Sequence, residues 1–112
     1  MSRSPKLIKT VLAVALAVGA FAASAQEKVT VQLKWVAQSQ FAGYYVAAAK
    51  GYYKEAGLDV TIRPGGPDIS PVQALVGKQA DIAVNWMPDA LAAREAGSAL
   101  VNVAQVFNKS GL

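Results

Sequence analysis

Cysteine and histidine are both missing from the 112 residues. Without cysteine there is no disulfide, no thiolate nucleophile and no lipid-modified cysteine at a leader junction. Without histidine the commonest general base is gone, and with it the commonest imidazole metal ligand. Nucleophilic catalysis of the Ser-His or Cys-His kind is therefore excluded for this stretch, and no catalytic residue, metal ion or cofactor is expected in it. Asp68 and Asp89 could act as acid or base, but both fit helix starts, where a carboxylate favours the helix dipole. Long apolar runs are scarce as well. The longest, Val11 to Ala23, has 13 residues, short of the roughly 20 needed to cross a hydrocarbon core.

That run has the flanks of a secretory leader. Arg3, Lys6 and Lys9 precede it and Ala23-Ser24-Ala25 follows it, so cleavage is expected between Ala25 and Gln26. Residues 1–25 then form the signal peptide and 26–112 the mature part, periplasmic in a Gram-negative host. Cleavage takes three of the 11 basic residues and none of the seven acidic ones, leaving eight against seven and a net charge of +1. The basic pI of 9.5 belongs to the leader. A nearly neutral mature chain lacks the basic footprint that nucleic acid requires, and it has little attraction for an anionic membrane.

The mature part alternates strand and helix patterns. Val29, Val31, Leu33 and Trp35 interleave with Thr30, Gln32 and Lys34, the period of a half-buried strand. Ser39 is placed to cap a helix whose face is Phe41, Tyr44, Tyr45, Ala48 and Tyr52, weakened at Gly51 and stopped at Gly57. A second strand, Leu58 to Arg63, closes on Pro64-Gly65-Gly66-Pro67-Asp68, a turn. Ser70-Pro71 then starts a short helix ended by Gly77. A third strand, Asp81 to Trp86, leads into a helix from Pro88 to Ala96 with Gly97 as its stop, and Leu100 to Phe107 reads as a fourth strand. The order β-α-β-α-β-α-β with short connections implies an α/β fold with a parallel sheet and right-handed crossovers.

In such a sheet the ligand crevice lies beyond the carboxyl ends of the strands. The residues expected there are Trp35, Gln38, Gln40, Phe41 and Tyr44 after the first strand, Gly65 and Gly66 after the second, Asn85, Trp86 and Met87 after the third, and the amides Gln105 and Asn108 after the fourth. Aromatic faces with amides suit a flat, polar, largely uncharged heterocycle, and stacking of that kind is worth about 1–3 kcal/mol per base in nucleic-acid systems. Either Trp could equally close the core at the sheet edge. The Tyr stripe has the spacing of a buried helix face, so only its first turn is expected near the crevice. Gly65-Gly66 and the helix start after Ser70 could receive an anion through backbone N–H groups, although the same residues form an ordinary tight turn.

Two stretches carry a resemblance to a known family. One is Leu33-Lys-Trp-Val-Ala-Gln-Ser-Gln-Phe-Ala-Gly-Tyr-Tyr-Val-Ala47, continuing into Lys50-Gly-Tyr-Tyr-Lys-Glu-Ala-Gly-Leu-Asp-Val60. The other is Gly65-Gly-Pro-Asp68 followed by Gly77-Lys-Gln-Ala-Asp-Ile-Ala83 and Asn85-Trp-Met-Pro88. Together they resemble the substrate-binding proteins of ABC importers that serve thiamine precursors, alkanesulfonates, taurine and nitrate. The resemblance implies a periplasmic-binding-protein type II-like, two-lobed venus-flytrap fold. Residues 26–112 would be the first part of lobe one and a fragment of a longer chain. It also implies a monomeric receptor with a small-molecule ligand, meeting the membrane only through an ABC permease and its ATPase, and not an enzyme. Where thiamine-precursor binders tend to show Trp-x-x-Asn-x-x-His, this chain has Trp35-x-x-Gln38-x-x-Phe41. A pyrimidine-like or flavin-like heterocycle is the first expectation and a sulfonate such as taurine the second. A eukaryotic pyrimidine synthase of the same fold is the competing class.

Overall fold

The computed structural model describes residues 25–109. The leader, apart from Ala25, lies outside the described residues, as do Ser110, Gly111 and Leu112. Within them, β1 (Glu27–Gln32) is followed by a 3-10 turn (Ser39–Phe41), α1 (Ala42–Ala49), α2 (Tyr52–Glu55), β2 (Leu58–Arg63), α3 (Pro71–Val76), β3 (Ile82–Ala83) and α4 (Met87–Glu95). The three strands form one parallel sheet in the order β2-β1-β3. The α/β class and the parallel sheet expected from the alternating pattern are thus present.

β1 is central, and its burial rises along its length until Val31 and Gln32 are fully covered. All six of its residues pair with β2, from Glu27 opposite Leu58 to Gln32 opposite Arg63. Val29 and Val31 face the same side as Val60 and Ile62, because paired residues of parallel strands share a face. Continuing that side, Leu33 is 0% exposed and forms the core with Val31 and Phe41, against which Tyr44, Tyr45 and Val84 pack. Thr30 and Gln32 turn to the opposite side, where α3 lies against β1 and β3.

Several boundaries differ from the sequence expectation. β1 stops at Gln32, and Trp35 falls in a bend beyond it, although the Leu33 N–H still donates to the Arg63 carbonyl at 2.9 Å. Ser39 is not a cap: it lies inside the 3-10 turn, whose preceding residue Gln38 makes no side-chain capping bond. The expected single helix divides at Gly51, whose φ of 79° no helix interior tolerates. Ser70 does cap α3, its side chain accepting from the Gln73 N–H at 3.3 Å, with Pro71 in the first turn.

The expected fourth strand is absent among the described residues. Residues 100–107 carry no strand, and Val101 and Val103 are 80% and 79% exposed. Alternation gives a segment one apolar face, but a strand exists only when a neighbour accepts its N–H groups and donates to its carbonyls. Here Leu100 instead accepts from Arg94 Nη1 at 3.0 Å, and Gln105 Nε2 donates to Phe107 at 2.9 Å.

Candidate functional site

The chain leaves β1 for β2 on one side of the sheet and then crosses to β3 on the other, so the strand order reverses between β1 and β3. A crevice at the carboxyl ends of these two strands is the place where an open α/β sheet binds ligands. The segments leaving the two strands at that end are Leu33–Gln38 after β1 and Val84–Met87 after β3.

Gln32, the last residue of β1, anchors the base of this region. It is fully buried, and its Nε2 donates to the carbonyls of Leu33 and Pro64, both at 3.1 Å, and to that of Arg63 at 3.4 Å. The exits of β1 and β2 are thereby tied together. One residue on, the Gly65 N–H donates to the Trp35 carbonyl at 2.9 Å. A Cβ on Gly65 would meet the Leu33 carbonyl and come within 2.6 Å of the Lys34 carbonyl oxygen. Glycine at position 65 is therefore explained by the approach of one backbone to another, and its N–H is already committed. Gly66 is buried beside it, and its carbonyl accepts from the Ile69 N–H at 3.2 Å.

The two indoles lie at the ends of the two switch-point strands. Trp35 is 38% exposed in the bend after β1, and Trp86 is 57% exposed at the N-cap of α4. Beside Trp86, Asn85 has both amide atoms buried without a hydrogen-bond partner, and Gln32 Oε1 is in the same condition. A buried polar group left unpaired costs roughly 1–3 kcal/mol, so folded chains rarely leave one without a reason.

Lys34 reaches across the same end of the sheet. Its Nζ donates to Asp89 Oδ2 at 2.6 Å and stands 4.9 Å from the centroid of the Trp86 ring, inside the roughly 6 Å range of a cation–π contact. Asp89 sits in the first turn of α4, as its sequence position suggested, but its carboxylate serves this pair. Lys34 reads in sequence only as an outward residue of an alternating strand. Its partner lies 55 residues away, and no local signal joins them.

The remaining expected residues divide between core and surface. Phe41 is buried against Val31 and Leu33, and Tyr44 packs on the same cluster, its carbonyl accepting from the Tyr53 hydroxyl at 3.2 Å. Gln38 and Gln40 are exposed around the 3-10 turn, and Met87 is exposed at the start of α4. The structure therefore brings Trp35, Asn85, Trp86 and Met87 to the two switch-point strand ends and places Phe41 in the core. Chemically the region offers indole faces, an unpaired carboxamide and an ion pair of no net charge. Among the described residues no group of three or more acidic side chains is placed to hold a metal ion.

Comparison with known proteins is consistent with this fold. The profile of the family described as NMT1/THI5 like matches residues 38–111. A formylaminopyrimidine-binding protein of Halalkalibacterium halodurans is 34% identical over 82 residues, 73% of this chain and 25% of the relative. Two proteins of Saccharomyces cerevisiae, each named a 4-amino-5-hydroxymethyl-2-methylpyrimidine phosphate synthase, are 33% identical over 85 residues, 74% of this chain and 24% of theirs. The chain thus spans about a quarter of the length of the curated relatives it matches. No solved structure matches it. With the family profile covering residues from the bend after β1 to beyond α4, the chain belongs to the NMT1/THI5-like family.

Proposed function

We propose that these residues belong to an extracytoplasmic solute-binding receptor that takes an aminopyrimidine-like heterocycle and passes it to an ABC permease and ATPase. The observation that carries the reading is the unpaired Asn85 amide beside the exposed Trp86 at the β1/β3 switch point. An exocyclic amino group next to a ring nitrogen presents a donor beside an acceptor, and a carboxamide is its complement, as it is for adenine in nucleic acids. An indole supplies the stacking face. Pairing the amide with a ligand requires residues 84–87 to shift enough to uncover it.

The names of the relatives support the same ligand class, since both the binding protein and the two synthases carry a pyrimidine in their names. A receptor is favoured over a synthase by the relative at 34% identity, which is named a binding protein. Export is favoured by the basic start, apolar run and Ala23-Ser24-Ala25 of the leader.

Calorimetric titration of the full-length protein with 4-amino-5-hydroxymethyl-2-methylpyrimidine, a formylaminopyrimidine, riboflavin and taurine tests the reading. An aminopyrimidine should bind without turnover, and Asn85→Ala or Trp86→Ala should each weaken it by about 1–3 kcal/mol, roughly 5- to 150-fold. The secreted protein should begin at Gln26. Binding of taurine alone, or normal binding by both variants, would overturn the ligand assignment; pyrimidine turnover would overturn the receptor.

A further inference from the structure

Lys34 is the cation of the switch point, and its geometry assigns it a task that stacking and amide pairing leave open. Its ammonium stands over one face of Trp86 while donating to Asp89. A ligand stacking on Trp86 is thereby left the other face. The charge of Lys34 is answered at 2.6 Å by Asp89; the Lys34 side chain is 20% exposed and that of Asp89 43%, so the ammonium is the more sheltered member of the pair. An anion arriving here meets a cation already paired and, next to it, a carboxylate that repels it. A neutral ring meets neither cost.

We propose that Lys34 and Asp89 are positioning and specificity-determining residues: their pair fixes the usable face of Trp86 and makes the site prefer an uncharged heterocycle to its anionic counterpart. The proposal rests on the ligand reading above and adds the discrimination by charge. Asp89 is the residue that enforces it. Removing the carboxylate's charge leaves Lys34 in place as an unanswered cation at a partly buried site, which is a receptor for anions.

The test uses the full-length protein and two probes, 4-amino-5-hydroxymethyl-2-methylpyrimidine and its phosphate monoester, titrated against wild type, Asp89→Asn and Lys34→Met. Wild type should prefer the uncharged probe. Asp89→Asn should shift the ratio of the two affinities at least tenfold toward the phosphate, a shift that shrinks with added salt. Lys34→Met should gain no phosphate affinity. In ligand-free protein the indole N–H resonance of Trp86, assigned by its loss in Trp86→Phe, should move in both variants. An unchanged ratio in Asp89→Asn, with folding verified by its melting temperature, would overturn the proposal. So would an unmoved Trp86 resonance in Lys34→Met. If wild type binds no pyrimidine, the proposed function fails on its own; a tenfold gain of inorganic phosphate binding in Asp89→Asn still supports the pair's role, and its absence overturns it.

Discussion

Thr30 and Asp81 exchange two hydrogen bonds: the Thr30 N–H donates to Asp81 Oδ2 at 2.7 Å, and the Asp81 N–H donates to the Thr30 carbonyl at 2.9 Å. The side chain thus supplies the acceptor that a longer β3 would have provided from its backbone. β3 pairs with β1 through only Val31–Ile82 and Gln32–Ala83, so this clasp sets its register. Asp81→Ala should cost about 1 kcal/mol, the worth of one charge-assisted bond reduced by its exposure. Asp81→Asn should recover about half of that, because its amide oxygen still accepts. Urea unfolding of the full-length protein measures both; an Asp81→Ala variant as stable as wild type would refute the clasp.

Lys78 gives the second prediction. α3 closes with the Gln79 N–H on the Ala74 carbonyl at 2.8 Å and the Lys78 N–H on that of Leu75 at 3.1 Å, which places Lys78 in the left-handed position at φ 56°. Gly97 holds the equivalent position after α4, at φ 95°. A side chain there is strained by about 1–2 kcal/mol, partly offset by the lower entropy of its unfolded state. Lys78→Gly should therefore stabilise the protein by about 0.5–1 kcal/mol, raising its melting temperature; a fall would show that the lysine side chain contributes more than its strain costs.

Gly65→Ala is the third. The added methyl collides with the backbone of Leu33 and Lys34 rather than with a flexible side chain. The turn after β2 must move away from the bend after β1, breaking the Gly65–Trp35 hydrogen bond. A loss of about 1–3 kcal/mol is expected, the range for overpacking a filled site. Gly66→Ala, with open space around its Cβ, should cost less than half as much. Equal losses would mean that the turn, and not the close approach, determines the residue.

Much of this architecture was readable in the residues themselves. The alternation around Val29 and Val31, the Ser70-Pro71 start and the stop at Gly97 are local, and each reports on a backbone that its own neighbours control. Leu100–Phe107 has the alternation without the strand, because alternation describes one chain while a strand is a relation between two. The divided helix reflects a glycine that disrupts more than its propensity cost alone would suggest. Positions at the carboxyl ends of the strands followed from the alternating pattern, yet the strand order and the link from Lys34 to Asp89 did not, since a pattern along one chain leaves sheet order and side-chain reach undetermined. The Gly65-Gly66 turn was visible, but only its neighbours show why position 65 is glycine, since the Leu33 and Lys34 backbone approaches it closely.

The uneven ladder on the two sides of β1 bears on the order in which the molecule assembles. Joining β1 to β2 closes 31 residues between Gln32 and Arg63, and joining it to β3 closes 51 between Thr30 and Asp81. By loop length alone the second closure costs only about 0.4 kcal/mol more. The larger difference is in what each closure gains: six paired positions on the β2 side, two on the β3 side. β1 and β2 with the helices between them are thus the early unit, and the docking of β3 is the late and most easily reversed step. Trp35 belongs to the first and Asn85 and Trp86 to the second. The groups proposed to bind a ligand therefore meet only once β3 has docked, and a molecule held between them would favour the docked state.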